Sequence, residues 1–145
     1  MIRYLMDTDT FTLYLRHDLS VFTSVLRYLP QGVSVPIIVV EELWDGWQSV
    51  IRKAKTPDAA GIAYQRLADT LTELQNWSIV PFSKDAIQIY QRLKQSKLNV
   101  GSNDLKIAAC ALSAEATLVT GNTRDFSRVG GLALVDWSGR ESISE

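Results

Sequence analysis

Short apolar runs separated by helical stretches of ten or more residues predict an α/β fold on a mostly parallel sheet. Two further observations support it. The runs are rich in Val, Ile and Leu, and Asp7, Pro36 and Thr120 end three of them abruptly. A chain of 145 residues is one domain's worth and can bury a continuous core, so residues 1–145 are read as a single domain.

In chain order, the first run, Arg3 to Met6, is a strand that stops at Asp7-Thr8-Asp9-Thr10. A helix from Thr8 to Arg16 follows, and another from Leu19 to Tyr28 ends at Pro30. Val33-Ser34-Val35 is the second strand. Ile37 to Val40 would extend it on propensity alone. Pro36 suits the first helical position, however, and Val40, Leu43, Trp44, Trp47 and Ile51 recur at helical spacing, which predicts a helix from Pro36 to Ala54. A helix from Pro57 to Gln75, a strand Ser78 to Pro81 and a helix capped by Ser83 through Gln95 come next. Ser102 is read as the cap of a helix Asn103 to Ala114, leading to the strand Thr117 to Thr120 and a last strand Ala133 to Val135.

Composition removes several chemistries. Cys110 is the only cysteine, so neither an internal disulfide nor a thiolate zinc site is available. His17 is the only histidine, and Leu15-Arg16-His17-Asp18 reads as an exposed helix end. The net charge of −1 gives no bulk attraction to nucleic acid. No apolar run approaches the roughly 20 residues of a membrane helix, and Asp7 interrupts the N-terminal run where a signal peptide would stay apolar. A cytoplasmic location without membrane association is the expectation. If the chain is an enzyme, carboxylates do the work.

Four carboxylates fall where an open parallel sheet places its site, beyond the carboxyl ends of the strands. Asp7 follows the first strand, and Asp125 lies a few residues past Thr120. Asp104 sits in the first turn of its helix, where the dipole favours an anion. Glu42 lies about two turns into its helix and can reach back toward the helix start. Each also has a structural reading: Asp7 or Asp9 as a cap, Glu41-Glu42 as helix surface charge, Asp104 as dipole compensation, Asp125 as a turn residue.

Taken together these segments resemble PIN-domain ribonucleases, in particular the toxins of VapBC-type toxin–antitoxin pairs, from Tyr4 to Trp137. Tyr4-Leu5-Met6-Asp7-Thr8-Asp9 is similar to the opening strand and its Asp-Thr signature. Val39-Val40-Glu41-Glu42-Leu43 with Gly46 looks like the helix carrying the family's glutamate, which maps to Glu42. Gly101 to Ala109 resembles the third acidic segment, and Thr117 to Phe126 the fourth. The order and spacing of all four make the match specific. The chain departs from the family at Asp9 (commonly Asn), at Pro36 (usually a small hydroxyl residue) and at Gly121 (usually bulkier and often basic). Family members also vary in whether the acid of the last motif stands at the Asn122 or the Asp125 position. Here Asp125 is taken as the fourth ligand, with Asn122 as its hydrogen-bonding partner.

The resemblance implies a PIN-like three-layer fold with a mostly parallel central sheet flanked by helices. It implies hydrolysis of RNA phosphodiester bonds with Mg²⁺ or Mn²⁺ held by Asp7, Glu42, Asp104 and Asp125, with Ser102 or Thr120 supporting the ligands. It further implies a homodimer and a cognate antitoxin. Clustered carboxylates suit such an ion, because they raise one another's pKa until a cation is present. The Trp44, Trp47, Ile51 stripe reads as core, or in part as the groove for an antitoxin's amphipathic segment. Lys53, Lys55, Arg92, Lys94, Lys97, Lys106, Arg124 and Arg128 are candidates for a basic rim facing RNA. Two alternatives stand beside this reading. One is a haloacid-dehalogenase-like phosphatase using Asp7 and Asp9, although Phe11 and the late acidic segment fit it poorly. The other is a catalytically degenerate PIN binding module.

Overall fold

Five short strands, β1 (Tyr4–Met6), β2 (Val33–Pro36), β3 (Ile79–Val80), β4 (Thr117–Val119) and β5 (Leu134–Val135), carry the fold. They pair in the order β3-β2-β1-β4-β5, every pairing parallel. A computed structural model describes residues 2–139 of the chain. Parallel neighbours need crossover connections, which seven helices provide or follow: α1 (Thr8–Leu15), α2 (Leu19–Tyr28), α3 (Ile37–Lys53), α4 (Pro57–Leu74), α5 (Lys84–Gln95), α6 (Ser102–Ala114) and α7 (Thr123–Phe126). Consecutive strand residues point to opposite faces, yet Leu5 and Met6 are both fully buried, as are Leu118 and Val119. Both faces of the sheet are therefore covered by helices, as a parallel sheet requires.

Local chemistry starts the helices where the sequence signals it. Asp7, Asp18, Thr56 and Ser83 each accept a hydrogen bond from the backbone N–H three residues on, capping α1, α2, α4 and α5.

Four expectations need correction. Pro36 is not the first residue of α3 but the last of β2: its ψ of 148° is extended and it pairs with Val80. Ser102 does not cap α6. Gly101 holds that position, and Ser102 lies inside the first turn with its hydroxyl 2.8 Å from the Tyr90 hydroxyl. The short helix α7 and a 3-10 turn at Leu29–Gln31 were not evident, because four and three residues are too few to show a period. Finally, the Trp44, Trp47, Ile51 stripe does not pack on the sheet. Ile38 and Val39 are the buried residues of α3, while Trp44 is 45% exposed. The cause is length. Seventeen residues of helix run about 25 Å, whereas a four-residue strand spans about 13 Å. The far half of α3 overhangs the sheet and meets α4, where Trp47 donates its indole N–H to the Thr70 hydroxyl at 3.0 Å.

The two serines give a direct test of the capping assignment. Ser83→Ala should lower stability by about 1 kcal/mol in urea unfolding, the usual value of a lost cap. Ser102→Ala, which loses one exposed hydrogen bond and no cap, should change it by about 0.5 kcal/mol or less. An equal loss at both positions would return Ser102 to the cap.

Candidate active site

β1 and β4 lie side by side, but the chain leaves β1 toward β2 and leaves β4 toward β5. Strand order reverses between them, and the crevice at their carboxyl ends is where side chains can gather without blocking the sheet. Asp7 is the first residue past β1 and is 5% exposed. Its N–H donates to the Val119 carbonyl of β4 at 3.1 Å, fixing it against the neighbouring strand. Its Oδ1 accepts the Thr10 N–H at 2.9 Å, and the Thr120 hydroxyl also hydrogen-bonds the carboxylate. Burial raises the Asp7 pKa, and the bonds from Thr120 and Thr10 only partly offset that.

Glu42 approaches the same crevice from α3. It sits in the second turn, and its Oε1 accepts a hydrogen bond from the Thr8 hydroxyl at 2.8 Å. Thr8, one residue past Asp7, thus ties the α3 carboxylate to the start of α1. Asp104 arrives in the first turn of α6. Its pKa is raised to about 6, first by burial and then by the charges of Glu42, Asp7, Asp9 and Asp125. That one perturbation shows that all four expected acids, with the exposed Asp9, share one electrostatic neighbourhood.

Asp125 enters from α7 with both oxygens engaged. Oδ2 accepts from the Asn122 side-chain amide at 3.1 Å, and Oδ1 from Arg128 at 3.3 Å. Asn122 in turn caps α7, and its own N–H donates to the Thr120 hydroxyl at 2.9 Å. Thr120, fully buried, therefore links the Asp7 and Asp125 segments.

Among the described residues no three acidic, His or Cys side chains converge closely enough to form a preformed metal cage. The donors present are carboxylate oxygens, the set that Mg²⁺ and Mn²⁺ favour.

Several roles differ from expectation. Ser102 faces Tyr90 rather than a site acid, while the Thr120 hydroxyl does hydrogen-bond the Asp7 carboxylate. Arg128, read as part of a basic rim, instead pairs with Asp125, and Lys106 lies 5.7 Å from the Tyr90 ring centre. The i,i+3 spacing of Asp125 and Arg128 was the available signal for the first of these. Thr8 left none, since its partner is 34 residues away. Beside Glu42, a cavity of about 550 Å³ opens between α1, α3 and α4, lined among others by Leu43, Trp47, Val50, Thr70 and Glu73.

Comparison with known proteins agrees with this geometry. Residues 6–132 match the model of the PIN domain. Over 140 residues the chain is 29% identical to Ribonuclease VapC2 of Rickettsia felis, covering 92% of this chain and 97% of that protein. A shorter stretch of 51 residues is 47% identical to the tRNA(fMet)-specific endonuclease VapC of Shigella flexneri, covering 35% of this chain and 39% of that one. Among solved structures, VapBC2 from Rickettsia felis bound to a promoter DNA fragment superposes with a TM-score of 0.73 at 29% identity, covering 94% of this chain and 99% of that chain. DNA-bound VapBC from Salmonella typhimurium gives a TM-score of 0.75 at 22% identity over the same shares. The phosphatase reading finds no support in these matches.

The raised pKa of Asp104 has a consequence for stability. Between an ordinary value near 3.8 and about 6, the folded chain binds the Asp104 proton more tightly than the unfolded chain does. The stability linked to that proton is full below pH 3.8 and is lost as pH rises through 6. Metal-free Asp104→Asn should therefore melt at a higher temperature than the parent chain at pH 7.5, with the gap closing near pH 4. A parent chain that is the more stable of the two at pH 7.5 would show that the neighbouring acids do not burden Asp104.

Proposed function

The chain belongs to the PIN-domain family, and on that premise we propose that it is a metal-dependent endoribonuclease, the toxin of a toxin–antitoxin pair. The observation that carries the reading is the meeting of the Asp7, Glu42, Asp104 and Asp125 segments at one crevice, tied through Thr8 and Thr120, where burial first and then the charges of Glu42, Asp7, Asp9 and Asp125 raise the Asp104 pKa to about 6. Charges of one sign are gathered this way where a cation is to be held. Supporting it are the relatives named ribonuclease and endonuclease, one of them matched along nearly its whole length.

The residues fit a hard divalent ion. Asp7, Glu42, Asp104 and Asp125 would hold Mg²⁺ or Mn²⁺, whereas Zn²⁺ prefers nitrogen and sulfur donors that this crevice lacks. When bound, such an ion supplies a Lewis acid and a water of lowered pKa beside the scissile phosphate of RNA. The chain's own part is orientation. Thr8 holds the Glu42 carboxylate, Thr10 and Thr120 hold Asp7, and Asn122 with Arg128 holds Asp125. No histidine base is needed, and His17 stands past the far end of α1. The VapBC complexes among the structural relatives support an antitoxin partner. The cavity beside Glu42 has a mixed lining, with Leu43, Trp47 and Val50 beside Arg16, Arg66 and Asp69, of the kind an amphipathic segment would fill.

The test is an RNA cleavage assay on purified chain with two neighbouring variants. Cleavage should require Mg²⁺ or Mn²⁺ and stop in EDTA. Glu42→Gln should lose about 10²-fold in rate, the scale of a lost ligand that orients the metal. Glu41→Gln, one residue away and exposed, should stay within about twofold, since surface charges rarely matter by more than 0.5 kcal/mol. Equal losses in the two variants, or cleavage that survives EDTA, would contradict the proposal.

A further inference from the structure

Sixteen acidic and fifteen basic side chains are spread along the sequence, yet among the described residues a single ion pair forms, and it forms on a site carboxylate. Arg128 Nη1 lies 3.3 Å from Asp125 Oδ1. The same nitrogen donates to the Asn99 carbonyl at 2.8 Å. Asn99 lies in the connector between α5 and α6, five residues before Asp104. One guanidinium nitrogen therefore bridges the segment that carries Asp125 and the segment that delivers Asp104.

The connector needs such a tie. It runs from Ser96 to Gly101, and Lys97 and Asn99 both adopt left-handed backbone, at φ of 50° and 59°. Non-glycine residues hold that conformation at a cost and keep it where the surroundings fix them. Gly101 then begins α6 without a side-chain cap. The Arg128–Asn99 bond anchors the midpoint of this approach to Asp104. At the other end of the bridge, Asn122 takes the second Asp125 oxygen, so that carboxylate is held from both sides.

We propose that Arg128 is a positioning residue that sets the gap between Asp104 and Asp125 and so tunes metal affinity, a role that rests on the metal-site reading above. It acts through its bonds to Asp125 and to the Asn99 carbonyl. Its action is opposite in sign to its charge. A cation beside an acidic cluster weakens binding of a second cation by Coulomb repulsion. If charge were all that Arg128 contributes, its removal would tighten Mn²⁺ binding. As a clamp, its removal loosens both acids and weakens binding, on the scale of 10- to 100-fold seen when groups supporting metal ligands are lost.

Two measurements on the purified chain decide it. In metal-free protein, Arg128→Gln should speed hydrogen exchange of the amides from Leu98 to Asp104 while leaving the β1 and β4 amides unchanged. In Mn²⁺ calorimetry, Arg128→Gln should bind about tenfold or more weakly than the parent. Introduced into an Asp125→Asn chain, the same change should cost clearly less than in the parent, because only the Asn99 arm of the clamp is left to lose. Arg128→Lys, which keeps the charge on a shorter stem, should show smaller losses of the same sign if Arg128→Gln folds poorly. Unchanged exchange together with equal or tighter Mn²⁺ binding overturns the clamp, and so does a full additional loss in the Asp125→Asn background. A parent chain that binds no Mn²⁺ overturns the metal site itself, and the positioning role with it.

Discussion

Carboxylates brought within Coulombic reach of one another in a half-dry crevice repel, and much of this fold is arranged around tolerating that repulsion. Asp104 bears it most visibly, held up to about 6 by burial and by four neighbouring acids. The acids come from four separate places: the end of β1, the second turn of α3, the first turn of α6, and α7. No local preference gathers them. The parallel sheet does so, because the reversal of strand order between β1 and β4 opens one crevice at its carboxyl edge.

Each acid is tolerated because it also serves the structure. Asp7 caps α1, and its backbone N–H joins β1 to β4. Asp104 occupies the start of α6, where the helix dipole favours an anion. Asp125 completes the turn that Asn122 begins and pairs with Arg128. Glu42 takes the hydroxyl of Thr8. Among the described residues no buried side-chain polar atom is left without a partner, so the polar crevice costs less than its composition suggests. Thr120 is central to this arrangement, since its one hydroxyl serves the Asp7 carboxylate and the Asn122 N–H together.

The sequence made the α/β class and most element bounds legible and singled out four acids that the fold brings to one crevice, because each depends on local signals: apolar runs, caps and motif spacing. Asp7 illustrates why the cap and the site readings could not be separated beforehand, for the residue that caps α1 also stands at the crevice past β1. The failures share a cause, which is that non-local packing overrides a local rule. Pro36 obeys the sheet register rather than its helix preference, and Ser102 finds Tyr90 rather than a backbone N–H. The tryptophans of α3 keep helical spacing but meet α4 and solvent, because the helix outruns the sheet it starts from. Arg128 reads as part of a basic rim in the sequence because its carbonyl partner lies 29 residues away in the chain.

The central claim is the proposal that these four separately anchored acids together form one divalent-metal site. Mn²⁺ is paramagnetic and broadens the resonances of nuclei close to it, so side-chain carboxyl carbon spectra at substoichiometric Mn²⁺ address the claim residue by residue. The account predicts that the signals of Asp7, Glu42, Asp104 and Asp125 broaden together, while those of Asp58 and Glu115, on other parts of the fold, stay sharp. Broadening spread evenly over surface acids, or absent from any one of the four, would contradict it.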